Sequence, residues 1–127
     1  MRKNVGSLIR TALISVALTG LATAGYLSSS VAAEKTMSAV EKGKEVAFDR
    51  KKGNCLACHV MDDGTLPGNI APPLIAMKLR YPDKEKLRAQ IWDATAANPN
   101  TIMPPFGRHQ ILTEQEIDEV VDYVYTL

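Results

Sequence analysis

Past its first 33 residues the chain has little of what small domains usually rely on. No apolar run after Glu34 approaches the ~20 residues that a bilayer span needs, so no membrane anchor is expected there. Large rings are scarce: Phe48, Tyr81, Trp92, Phe106, Tyr123 and Tyr125 are all that follow Glu34. A domain of about 90 residues buries only about two-thirds of its unfolded surface, so such a short supply leaves a thin core. Charge of one sign is lacking too. From Glu34 onward twelve basic residues meet fourteen acidic ones, a net of −2, which argues against strong binding to nucleic acid or an anionic membrane. No alternating stretch reads as a strand, and there is no repeat or low-complexity tract. Cysteine is scarce as well. There are only two, separated by two residues within one motif.

The first quarter of the chain has a different character. Arg2, Lys3 and Arg10 lead into TALISVALTGLATAGYL and then SSSVAA, the basic, apolar and small-residue order of a secretory leader. Residues 1–33 are therefore expected to be a cleaved Sec-type signal peptide, with the mature, soluble domain spanning 34–127. No cysteine lies at the cut and no arginine pair precedes the apolar run, so neither a lipid anchor nor export of a folded chain is expected.

Three segments of the mature chain read as helices. Ser38 and Glu41 have capping-box spacing at the head of a helix from about Met37 to Arg50. Pro82 opens a second, from about Asp83 to Ala97, with Leu87, Ile91 and Ala94 on one face. Thr113 and Glu116 open a third, in which Ile117, Val120, Val121 and Val124 follow helical periodicity. Gly43 is a candidate for a close crossing with that last helix, which Tyr123 could join. Between them lie MDDGTLPGNIAPPL and NPNTIMPPFG, long turn-rich loops that need something to pack upon. The expected fold is all-α.

The two cysteines sit in GNCLACHV, where His59 directly follows Cys58. A disulfide across so short a loop adds only about 2 kcal/mol, too little to hold a thin core. A thioredoxin-like pair would need a preceding strand, and a zinc site would need a second spaced pair of ligands. C-x-x-C-H is instead the spacing of covalent haem attachment. Cys55 and Cys58 would form thioethers on one porphyrin edge, and His59 would lie under the iron. One covalently bound haem c would also fill the thin core. The opposite axial position has four candidates: Met61, Met77, Met103 and His109. Met61 is too close to His59 to cross the ring, and Met77 reads as core. Met103, in a loop stiffened by Pro104 and Pro105, is favoured, with His109, Met77 or an open site as alternatives. A His/Met pair raises the reduction potential. Trp92 is a candidate donor to a propionate, or else a core residue.

The order helix, C-x-x-C-H, proline loop, methionine loop, final helix resembles class I cytochrome c. That likeness implies that His59 donates its second ring N–H to the carbonyl of Pro72 and that Leu74 packs on the haem. The likeness narrows further: KGNCLACH, PGNIAPPL, LRAQIWDATAANPNTIMPPFGRH and ILTEQEID-VVDYVYTL together resemble the monohaem SoxX subunits of SoxAX sulfur-oxidation cytochromes. The resemblance covers nearly all of the mature chain and implies His59 and Met103 as axial ligands. It also implies a periplasmic heterodimer with a SoxA-type cytochrome, an L-cysteine S-thiosulfotransferase that joins thiosulfate to a cysteine of the SoxYZ carrier. In that arrangement this chain takes electrons away and passes them to a downstream cytochrome. Pro104, Pro105, Phe106 and Ile111 are the candidate apolar patch for the permanent partner, with core-like packing of that loop on its own haem as the alternative. Lys42, Lys44, Arg50, Lys51, Lys52 and the basic group from Lys78 to Arg88 would matter more to a free electron carrier, the competing function. A haem protein working at an open iron is the other.

Covalent attachment has a direct signature in mass. After acid–acetone treatment the mature chain is expected to stay heavier by one haem; the bare mass from Glu34 would restore the disulfide reading.

Overall fold

The computed structural model describes residues 36–127, and the expected leader, with its cleavage site, lies outside them. Helix α1 spans Ala39–Phe48, α2 Met77–Arg80, α3 Lys84–Trp92, α4 Ala94–Ala97 and α5 Glu114–Val124, and a single 3-10 turn, Cys55–Ala57, precedes α2. No strand occurs among the described residues, as expected of an all-α chain.

Helices α1 and α5 begin where local chemistry starts them. Ser38 and Thr113 each accept from the backbone N–H three residues on, while Glu41 and Glu116 reach back to the cap N–H, closing both capping boxes. The second expected helix is broken in two. Asp93 leaves helical geometry (φ −150°, ψ 87°), and its carboxylate accepts from the Thr95 N–H at 3.0 Å to start α4. The Thr95 hydroxyl also donates to it, and these bonds hold the Asp93 carboxyl below the usual carboxylate range. Helix α2 was not expected. It is one turn long and starts from Ala76 in left-handed geometry, with the Met77 N–H donating to the Leu127 carbonyl at 2.8 Å.

The core gathers on the apolar face of α5, where Ile117, Val120, Val121 and Val124 are buried. Burying each such side chain is worth about 1.5–3 kcal/mol. Helix α1 crosses this face at Gly43. A Cβ built there would lie 1.8 Å from the Glu119 carbonyl oxygen and 3.0 Å from the Tyr123 Cβ, so only glycine permits the approach. Beyond the crossing, Phe48 meets Tyr123 edge-on, with centroids 6.2 Å apart. The Tyr123 hydroxyl donates to Asp62, which also pairs with Lys44 at 2.7 Å, tying the loop after the histidine motif to α1 and α5.

Gly43→Ala is expected to destabilise the protein by about 3 kcal/mol, because helix backbones must separate to admit a methyl group. Urea unfolding would show this as a lowered midpoint, whereas an unchanged midpoint would mean the crossing is looser than described.

Candidate functional site

The segment between α1 and the cysteines folds back on the end of α1. The N–H groups of Lys52 and Asn54 donate to the Asp49 carbonyl, each at 3.0 Å, and that of Gly53 to Val46 at 3.1 Å. Asn54 then turns left-handed (φ 46°) into the 3-10 turn, where the N–H groups of Cys58 and His59 both donate to the Cys55 carbonyl. Lys52 pairs with Glu116 at 2.5 Å, so this segment is also fastened to the head of α5. That bond holds the Glu116 carboxyl below its ordinary range.

A second loop closes against the turn. The Gly68 N–H donates to Leu56, and a Cβ on Gly68 would lie 1.9 Å from the Ala57 carbonyl oxygen. The Ala71 N–H donates to Cys58 at 3.1 Å and the Leu74 N–H to Val60 at 2.8 Å. Held in this way, the Pro72 carbonyl lies 2.6 Å from Nδ1 of His59. A carbonyl can only accept, so Nδ1 carries the proton and Nε2 of the neutral ring keeps its lone pair for a metal.

These elements surround a cavity of about 540 Å³. Cys55, Cys58, His59, Pro72 and Leu74 line it, as does Met103 from the loop between α4 and α5. Leu87, Ile91, Phe106, Leu112, Val120 and Val124 add apolar wall. No disulfide joins the cysteines. Desolvation pushes the Cys55 thiol up to about 11, so at neutral pH that sulfur is not the thiolate of a redox pair.

Of the other axial candidates, Met77 also lines the cavity, but it is only 2% exposed and the Arg80 guanidinium lies 3.5 Å from its sulfur. Met61 is buried in the core, and His109 is exposed; neither lines the cavity. Trp92, expected as a propionate donor or a core residue, also lies outside the lining. Its ring packs where a Cβ on Gly107 would fall, 2.1 Å from Cε3, with the Arg88 guanidinium 5.4 Å from the ring centroid. Packing on the methionine loop holds it there. The expected apolar patch is divided between surface and core. Pro105 is buried and Phe106 is 7% exposed, both part of the interior. Pro104 and Ile111 (43% exposed) do stand exposed at the cavity edge, where Ile102 (72%) and Ile70 (64%) join them. Half of the suspected basic ring is paired: Lys42 with Glu119, Lys44 with Asp62 and Asp63, Lys52 with Glu116, Lys84 with Asp122, and Arg88 with Asp118 and Glu114; Arg50, Lys51, Lys78, Arg80 and Lys86 make no ion pair among the described residues.

Residues 40–127 match the cytochrome c family, and the fold and the C-x-x-C-H turn agree with it. The chain belongs to the cytochrome c family. A solved structure of SoxXA from P. pantotrophus is similar, with a TM-score of 0.61 and 29% identity over 68% of this chain and 79% of that one. The resemblance to SoxX-type cytochromes read from the sequence therefore extends to the fold. An uncharacterized lipoprotein of Aquifex aeolicus (strain VF5) is 36% identical over 76 residues, 59% of this chain. The cytochrome spans only 37% of the length of that curated relative. Family membership implies a covalently bound haem c, and the site fits one. The cavity is largely apolar, both C-x-x-C-H cysteines line it, and a histidine with a fixed tautomer stands beside them.

Two contributors went unnoticed in the sequence. Gly68 gave no sign of its close approach, because its contact partner is eleven residues away. Gln90, which also lines the cavity, reads in sequence as an ordinary exposed helix position.

Proposed function

We propose that this cytochrome is the single-haem, electron-accepting subunit of a SoxAX-type pair, exported to the periplasm after loss of residues 1–33. What supports it above all is that His59 and Met103 line one cavity beside Cys55 and Cys58, while His109 lies outside it. Cys55 and Cys58 would hold haem c by thioethers, His59 and Met103 would be its axial ligands, and Leu74 would pack on it. Bound there, haem c supplies a one-electron iron couple, whose potential a methionine ligand raises.

The chain's own residues do the rest. Pro72 holds the imidazole in one tautomer and one orientation. The apolar wall excludes water. With His59 and Met103 both holding it, the iron would keep no position for oxygen or peroxide, which weighs against catalysis or sensing at an open iron. The pairing of Lys42, Lys44, Lys52, Lys84 and Arg88 with carboxylates halves the charged ring through which a free carrier would dock. Ile70, Ile102 and Ile111 at the cavity edge suit a lasting apolar interface with a SoxA-type subunit.

Joining thiosulfate to a cysteine thiol forms one sulfur–sulfur bond and releases one proton and two electrons. With both cysteines committed to haem, this chain has no thiol to carry sulfur, and one iron accepts only one of the two electrons. It is an outlet, not the site of bond formation. The pair would act as an L-cysteine S-thiosulfotransferase on a SoxYZ-type carrier, with electrons leaving to a downstream cytochrome.

Reconstitution tests this. The purified cytochrome alone is expected neither to consume thiosulfate nor to load the carrier cysteine, as read by carrier mass and haem reduction. Adding a SoxA-type partner should restore both. Full-rate conjugation without this chain, or by it alone, would overturn the assignment.

A further inference from the structure

The loop over residues 61–70 is fastened at two points, and between them it carries an unsupported leucine. The Gly64 N–H donates to the carbonyl of buried Met61 at 3.1 Å, and the Gly68 N–H donates to Leu56 at 2.8 Å. A Cβ on Gly64 would lie 2.4 Å from Leu56 Cδ1, and one on Gly68 1.9 Å from the Ala57 carbonyl oxygen. Both glycines thus press the loop against the attachment turn. Between them Leu66 is 93% exposed. Its backbone is left-handed, φ 54°, which suits glycine or asparagine and crowds the Cβ of a leucine. Pro67 follows and restricts it further. A lone exposed leucine is ordinary on a protein surface, but one held in a strained turn by two anchored glycines is not. The side chain does nothing for the chain's own core.

We propose that Leu66 is a preset apolar anchor that fills a leucine-sized pocket on the SoxA-type subunit, extending the isoleucine edge along this loop. The proposal rests on that pairing, and its test separates the two. Ile70, four residues on, stands exposed at the cavity edge. Extended chain covers at most about 3.6 Å per residue, so Leu66 lies within about 14 Å of it. An interface of standard size, about 800 Å² on each partner, extends about 16 Å from its centre. A subunit seated on the isoleucine edge has Leu66 within that span. Asp62 and Asp63 share the single cation of Lys44 and leave the loop negative, which suits a protein pocket rather than an anionic membrane. A side chain fixed in advance also loses little freedom on binding, which lowers the cost of association.

The test is equilibrium titration of the holoprotein with the SoxA-type subunit, beside urea unfolding of the holoprotein alone. Leu66→Asn keeps the left-handed turn and removes the apolar side chain, whereas Leu66→Met keeps the apolar bulk. Leu66→Asn is expected to bind the partner about ten times more weakly, the order of one partly covered leucine, with an unfolding midpoint no lower than wild type. Leu66→Met should bind within about twofold of wild type. Ile111→Ser, at the cavity edge, should weaken binding too. Wild-type affinity in Leu66→Asn, with weak binding by Ile111→Ser, would overturn the anchor and leave the pairing standing. A lowered midpoint in Leu66→Asn would assign the side chain to the chain's own fold and overturn the anchor as well. Dimers of the wild-type cytochrome alone that Leu66→Asn abolishes would make a second copy the occupant instead. No association of the wild-type chain with the partner would overturn both anchor and pairing.

Discussion

The hydrogen bond between the His59 ring and the Pro72 carbonyl, 2.6 Å long, is the contact on which the site depends. It joins two loops that no helix connects and selects which imidazole nitrogen stays basic. Each flank of the proline loop is tied by a backbone bond, Ala71 to Cys58 and Leu74 to Val60. The histidine is therefore oriented by backbone geometry, which a side-chain substitution nearby does not readily disturb. Leu74 lines the cavity from this same loop, so one short stretch provides both the acceptor and part of the apolar wall.

Around that contact the molecule is organised to surround a cavity with few residues. Helices α1 and α5 cross at Gly43 closely enough that no side chain fits between them. That economy lets a small chain form a firm helix pair and still leave a cavity of about 540 Å³. The opposite wall comes from α3 and the methionine loop, which the Trp92 carbonyl secures by accepting from the N–H groups of Gly107 and Arg108. Trp92 thus acts through both its backbone and its ring to hold the loop that carries Met103. Ion pairs fasten the outside: Lys52 to Glu116 and Lys44 to Asp62 each join a loop to a helix. Being largely exposed, such pairs contribute little stability each, so their value is in placing the loops.

How much of this was legible in the sequence follows from the range of each signal. Both capping boxes and the apolar face of α5 were readable because their partners lie within a few residues. The attachment motif was readable because its chemistry is set by spacing alone. The break at Asp93 was not, since Leu87, Ile91 and Ala94 keep helical periodicity across it while one carboxylate caps the next turn. Helix α2 carries no capping residue to announce it, only Ala76 in a left-handed conformation. For Phe106 the sequence left surface patch and core packing equally open; it lies inside because its loop folds under itself, with the N–H groups of Ile111 and Leu112 donating to the Phe106 carbonyl. In each miss, the deciding neighbour is distant in sequence or the deciding feature is a backbone angle.

The central claim is that His59 and Met103 together close one haem iron in this cavity. Iron K-edge X-ray absorption on the oxidised holoprotein measures that first shell directly. One sulfur beside nitrogen ligands is expected in the wild-type protein, and no sulfur in Met103→Ala. A wild-type shell of nitrogen alone, or a sulfur that persists in Met103→Ala, would contradict it.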